Sequence, residues 1–139
     1  VTLLRGGVEK FDAFSASDAA LAASGTVALE LAMARVSMVT AYRMHPVTWQ
    51  VMRRIVRSPY VNLINVISDR SVVPELLQAS CAPDWLVPEV INIFRNEGAR
   101  AKQMEAAETA IAAIAPPGGS PSNAAAMAVL RVLEAGRSV

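Results

Sequence analysis

The chain has 139 residues, 53% of them hydrophobic, and a formal net charge of +1. That length suits one domain with a buried core, and the apolar share exceeds the ~45–50% of an average soluble domain. A near-neutral charge without interleaved aromatic and basic residues argues against a nucleic-acid binder; a lone Cys81 argues against a disulfide framework and for a reducing compartment, and Cys81 with His45 is too little for a zinc site.

Residues 1–4 read as a short apolar strand closed by Arg5-Gly6-Gly7. The chain opens in mid-strand on Val1, so it is expected to be a piece of something longer, and nothing in it resembles a signal peptide. Residues 8–15 predict a helix with Val8, Phe11 and Phe14 on one face. Residues 18–23 are small and apolar, as a parallel strand covered on both faces would be. A Ser24-Gly25-Thr26 turn leads into a helix over 26–34, and residues 37–42 form a further strand. The apolar run over 19–34 is broken by Gly25 and Glu30 and falls short of the roughly 20 residues of a membrane span.

Arg43-Met44-His45-Pro46 is a turn, with Pro46 near the start of an amphipathic helix over 47–57. Val51, Met52, Ile55 and Val56 lie on one side of that helix, and Gln50, Arg53, Arg54 and Arg57 on the other. Ser58-Pro59 ends it, and residues 60–64 read as a fourth strand followed by Asn65 in a loop. A short helix over 74–78, a helix over 84–95, a break at Asn96-Glu97-Gly98 and an alanine-rich helix over 99–115 follow. Residues 116–121, rich in Pro and Gly, form a flexible connection to a closing helix over 124–135. Strand–helix alternation in the first half implies a parallel α/β sheet with right-handed crossovers, followed by C-terminal helices. Ligands of such sheets bind at the carboxyl ends of the strands. The loops expected there are 24–26, 42–45 and 62–68.

The stretch from Ser24 to Glu30 carries the most chemistry. A helix opening on Gly25-Thr26 offers unpaired backbone N–H groups and a positive dipole end to a phosphate. Glu30, the one charged residue between Asp18 and Arg35, is placed to accept hydrogen bonds from the vicinal hydroxyls of a ribose. The same residues also fit an ordinary N-cap. Arg43, directly after a strand, could pair with a phosphate in fork geometry, or be a surface arginine. Asn65 could donate and accept toward a sugar or phosphate oxygen, or be a turn residue. His45 fits a ligand donor or a solvated loop residue, and Arg53, Arg54 and Arg57 fit anionic lipid headgroups or a solvated helix face. No Gly-x-Ser-x-Gly, no G-x-G-x-x-G and no pair of carboxylates spaced for glycoside hydrolysis is present.

Residues 18–30 (Asp-Ala-Ala-Leu-Ala-Ala-Ser-Gly-Thr-Val-Ala-Leu-Glu), then Tyr42-Arg43-Met44, residues 60–65 (Tyr-Val-Asn-Leu-Ile-Asn) and residues 73–78 (Val-Pro-Glu-Leu-Leu-Gln) occur in order and at spacings that resemble the C-terminal half of lipid-A-disaccharide synthases. His45 and Ile64 depart mildly from that pattern, standing where a lysine-like residue and a proline are usual. The resemblance covers nearly the whole chain. It implies a partial Rossmann-like parallel sheet, the C-terminal half of a GT-B fold, with residues 1–80 as the α/β donor-nucleotide region and residues 81–139 as a C-terminal helical region of the same domain. It implies an inverting hexosyltransferase that joins UDP-diacylglucosamine to a diacylglucosamine 1-phosphate through a β(1→6) bond. Ser24, Gly25 and Thr26 would cradle the diphosphate, Glu30 would hold the ribose, and Arg43 would help neutralise the departing UDP. Asn65 would matter for turnover, with Glu75 and Gln78 as supporting residues behind the site. It further implies no metal or other cofactor, a membrane-surface partner, a cytoplasmic location at the inner membrane, an optional homodimer, and a piece that is inactive without its acceptor-binding domain. The alternatives are another GT-B donor domain, a UDP-sugar epimerase, or a non-catalytic membrane-surface or oligomerisation module.

Overall fold

Three short parallel strands carry the architecture. In the computed structural model, which describes residues 2–4, 7–23, 25–115 and 120–136, they are β1 (Ala20–Ala22), β2 (Met38–Tyr42) and β3 (Glu75–Leu77), hydrogen-bonded in that order. Ala20 faces Met38 across the first pair; Thr40 faces Glu75 and Tyr42 faces Leu77 across the second. The helices are α1 (Val8–Ser15), α2 (Val27–Met33), α3 (Pro46–Ile55), α4 (Leu63–Ser68), α5 (Pro83–Arg95), α6 (Glu97–Ile114) and α7 (Pro121–Gly136). The α/β class expected from the alternation of strands and helices is what forms, Rossmann-like in its β1–α2–β2 unit and helical thereafter.

The core lies on one face of the sheet. Ala28, Leu31 and Ala32 of α2, Met38 of β2, Ile64 of α4 and Ala106, Ala107 and Ala110 of α6 pack there together, none more than 5% exposed. Alanine is the best helix former and has no side chain beyond Cβ, so α6 can lie close against α2 and α4 without leaving voids. The helical second half therefore completes the same core that the sheet begins. Residue alternation turns Val39 to the opposite face, and α5 packs against β2.

β2 is the central strand, and its edge toward β3 is finished by a side chain. Thr40 N–H donates to Pro74 C=O at 2.8 Å, but β3 begins too late to reach Met38. The buried amide of Gln103, on α6, fills the gap. Its Oε1 accepts from Met38 N–H at 3.0 Å, and its Nε2 donates to Met38 C=O at 3.1 Å. One side chain thus takes the place of a missing strand residue.

Several elements differ from the expectation. Residues 60–64 are not a strand: Asn62 is extended and its Oδ1 accepts from Ile64 N–H at 2.9 Å, which opens α4 and makes the apolar run helical. Residues 74–78 are not a helix, because pairing with β2 overrides the helix propensity of Glu75-Leu76-Leu77 and makes β3. Thr2, Leu3 and Leu4 form no strand, while Val1, Arg5 and Gly6 lie outside the described residues. β1 is not covered on both faces, since Leu21 is 57% exposed. The break before α6 shrinks to Asn96, whose Oδ1 caps Ala99 N–H at 3.0 Å. Residues 116–119 of the expected connection lie outside the described residues, and α7 starts at Pro121.

Replacing Gln103 by Leu would leave the N–H and C=O of Met38 buried and unpaired. We expect a loss of about 2–4 kcal/mol, read as a lower urea midpoint at unchanged slope. A loss under about 0.5 kcal/mol, the range of an ordinary surface change, would refute the strand-completing role.

Candidate functional site

All three strands run the same way, so the segments that follow them gather at one edge of the sheet. After β1 come Gly25 and Thr26; Ser24, the first residue of the expected phosphate turn, lies outside the described residues. Gly25 has φ 129°, a conformation that favours glycine, and a Cβ built there would meet nothing within 4 Å. The backbone at this point is therefore open to close approach. Thr26 is the N-cap of α2 by position, and its own side chain makes no capping hydrogen bond among the described residues. Glu30 lies in the first turn of α2, its carboxylate 2.8 Å from Lys10 Nζ.

The loops after β2 and β3 are laced together. Gln78 Oε1 accepts from Met44 N–H at 2.7 Å, and its Nε2 donates to Met44 C=O at 3.2 Å. Gln78 thus repeats at the carboxyl end of β2 what Gln103 does at the other end. It does so from a left-handed backbone, φ 53°, at the start of a 3-10 turn (Gln78–Ser80). Arg43 bridges the same loops, donating from Nε to Gln78 C=O at 3.2 Å and from Nη2 to Cys81 C=O at 3.3 Å. His45 caps α3, its Nδ1 accepting from Val47 N–H at 3.3 Å, with Pro46 at the first helical position.

The third expected loop is replaced. Residues 62–68 form the cap and body of α4, and the segment at the edge is Gln78–Ser80 instead. Asn65 is fully buried with its amide satisfied on both sides. Its Nδ2 donates to Val73 C=O and to Glu75 Oε1, both at 2.7 Å; its Oδ1 accepts from Val72 N–H at 2.9 Å and Val73 N–H at 2.8 Å. An amide so engaged has no capacity left for a substrate, so in this structure Asn65 fixes the chain leading into β3.

Glu75 is the hub of this region. Its Oε2 accepts from Val61 N–H at 2.9 Å, and its Oε1 accepts from Asn62 N–H at 3.0 Å as well as from Asn65. A carboxylate thereby gathers the start of α4 onto β3. Asn62, also fully buried, donates from Nδ2 to Thr40 Oγ1 at 2.8 Å and ties the same helix to β2. The roles of Asn62 and Gln103 escape a reading by motif. The one available signal was an isolated amide in an apolar or alanine-rich run, where a polar group is retained only if it is bonded.

Two clefts stand out among the described residues. One, of about 520 Å³, lies against the loop after β2 and is lined by Met44, Trp49, Met52, Arg53, Arg57 and Tyr60 among others. The other, of about 580 Å³, is lined by Arg70, Ser71, Pro74 and Lys102 and by Gln103, so it opens at the amino ends of the strands, away from the convergence of loops. No group of three or more His, Cys, Asp or Glu suited to a metal occurs among the described residues. The Glu75 network carries a prediction. Both Glu75→Ala and Asn65→Ala should cost about 2–4 kcal/mol in chemical denaturation, through stranded N–H groups. A destabilisation below about 0.5 kcal/mol for either would sink the assignment.

A profile of the family described as lipid-A-disaccharide synthetase matches residues 1–129. The chain is similar to the lipid-A-disaccharide synthase of Rhodospirillum centenum, 50% identical over 96% of this chain and 33% of the relative. It is likewise similar to those of Paramagnetospirillum magneticum, 45% identical over 94% of the chain and 34% of the relative, and Gluconobacter oxydans, 40% identical over 90% and 30%. The chain thus spans about a third of the length of these curated relatives. With the profile covering residues 1–129, almost the whole length, this chain belongs to the lipid-A-disaccharide synthetase family.

Proposed function

We propose that the chain supplies the UDP-sugar-binding part of an inverting glycosyltransferase that makes the β(1→6) disaccharide of lipid A from UDP-diacylglucosamine and diacylglucosamine 1-phosphate. The match to the family along residues 1–129 is the observation that carries this reading. On it, residues 1–80 are the donor-nucleotide region, residues 81–139 are the helical part of the same GT-B domain, and the piece alone does not turn over.

The open backbone at Gly25 suits a diphosphate, with Ser24 and Thr26 on either side and the start of α2 supplying N–H groups. Glu30 takes the ribose. Arg43, already anchored on the carbonyls of Gln78 and Cys81, adds positive charge for the departing UDP. Gln78 and Glu75 act behind the site, holding Met44 and the start of α4 in place, and Asn65 acts with them. The chemistry so drawn needs no metal or other cofactor.

The membrane enters through α3. None of its residues is buried, and Val47, Val51 and Ile55 are 64%, 48% and 70% exposed beside Arg53 and Arg54. An apolar side flanked by cations suits anionic lipid, and this supports a location at the cytoplasmic face of the inner membrane, where the lipid substrates would lie. No helix among the described residues is long and apolar enough to cross a membrane. α7, with Val132 73% exposed, suits contact with a second copy in a homodimer.

In the full-length protein, Glu30→Ala should weaken UDP binding about tenfold by calorimetry, the loss expected of a charged hydrogen bond; unchanged affinity would remove the ribose role. Reversing Arg53 and Arg54 to Glu should abolish most co-sedimentation with anionic vesicles, and the wild-type binding should fall as salt rises. Salt-insensitive binding would count against the α3 assignment.

A further inference from the structure

Glu30 is not alone at the start of α2. Lys10, on α1, places Nζ 2.8 Å from Glu30 Oε1. The same ammonium lies 4.8 Å from the ring centroid of Phe11 and 5.9 Å from that of Phe14, and the two rings meet edge to face at 6.0 Å. Cation–π attraction and the ion pair thus hold Lys10 between an aromatic pair and the carboxylate. Both side chains are about one-third exposed, at 35% and 33%, so the pair is shielded on one side and reachable from the other.

A carboxylate offers about four acceptor positions on two oxygens. Lys10 occupies Oε1, and among the described residues no hydrogen bond reaches Oε2. Glu30 also shares the first turn of α2 with the turn at Gly25. A bare carboxylate there would repel the phosphates of a bound nucleotide, and the Lys10 ammonium on Oε1 offsets that repulsion.

We propose that Lys10 is a positioning residue for the nucleotide: it fixes and neutralises the Glu30 carboxylate so that Oε2 accepts hydrogen bonds from the vicinal hydroxyls of the ribose. The inference rests on the reading of Glu30 as the ribose ligand. It assigns α1, a helix outside the carboxyl-edge loops, a part in selecting ribonucleotide over deoxyribonucleotide. If Lys10 only tied α1 to α2, its loss would lower stability without touching that selection.

The test uses the full-length protein with UDP and 2′-deoxy-UDP as calorimetric probes. The wild type should prefer UDP about tenfold, as loss of a hydrogen bond to a charged group predicts. Lys10→Met should bring that preference to within about threefold of unity, as Glu30→Gln should, while Lys10→Arg restores most of it. Lys10→Gln, which keeps a donor and loses the charge, serves should the Met variant not fold, and is expected to show the same loss of preference. Preference retained in both neutral Lys10 variants but lost in Glu30→Gln would overturn the inference and leave the ribose role standing. Preference retained in all three would overturn both.

Discussion

A central strand in a parallel sheet has peptide groups on two edges, and burial leaves none of them free to rely on water. β2 meets that demand with less than a full neighbour. β3 covers Thr40 through Tyr42, and two glutamine amides extend the pairing beyond it: Gln103 from α6 at Met38, and Gln78 at Met44. The arrangement lets the strands stay short while the loops after them stay close. It also couples distant parts of the chain, because the ladder at β2 is incomplete until α6 has docked. The alanine face of α6, packed on α2 and α4, is what brings Gln103 within reach.

The same economy governs the approach to the site. Glu75 sits at the first position of β3, yet its carboxylate reaches back to the N–H groups at the start of α4. Asn62 and Asn65, both buried, lock that helix to β2 and to the chain before β3. The start of α4 is thus held to both β2 and β3 by buried side chains, which keeps the sheet and its neighbouring helix rigid. Arg43 adds a further tie, anchored on the carbonyls of Gln78 and Cys81. α3 stands apart, since its apolar residues serve no interior.

The fold class was legible because β1, α2 and β2 follow their periodicities closely. The positive φ of Gly25 was not legible in the sequence, where Ser-Gly-Thr suggests only a turn into a helix. Residues 60–64 and 74–78 were misread for opposite reasons. Five residues with one polar position carry too little period to separate strand from helix, and the deciding group is the Asn62 side chain. Glu75-Leu76-Leu77 favours a helix locally, and its pairing partner lies over thirty residues away. Asn65 drew notice as an isolated amide in apolar surroundings. That signal was sound, but what it marked is a satisfied interior, with bonds to Val73 and Glu75, and sequence alone does not tell a buried amide from one facing a ligand.

Position 78 carries two demands that no one residue meets well. Its φ of 53° suits glycine or asparagine, while the bridge to Met44 needs an amide at the reach of glutamine. Glycine would relieve the backbone and forfeit the bridge; asparagine would keep an amide one methylene short of Met44. The present residue is a compromise in which local conformation yields to long-range pairing, a small piece of frustration left in an otherwise consistent chain. Such a position resists gradual improvement by single steps: an exchange that eases the turn loosens the loop after β2, and one that preserves the loop keeps the strain.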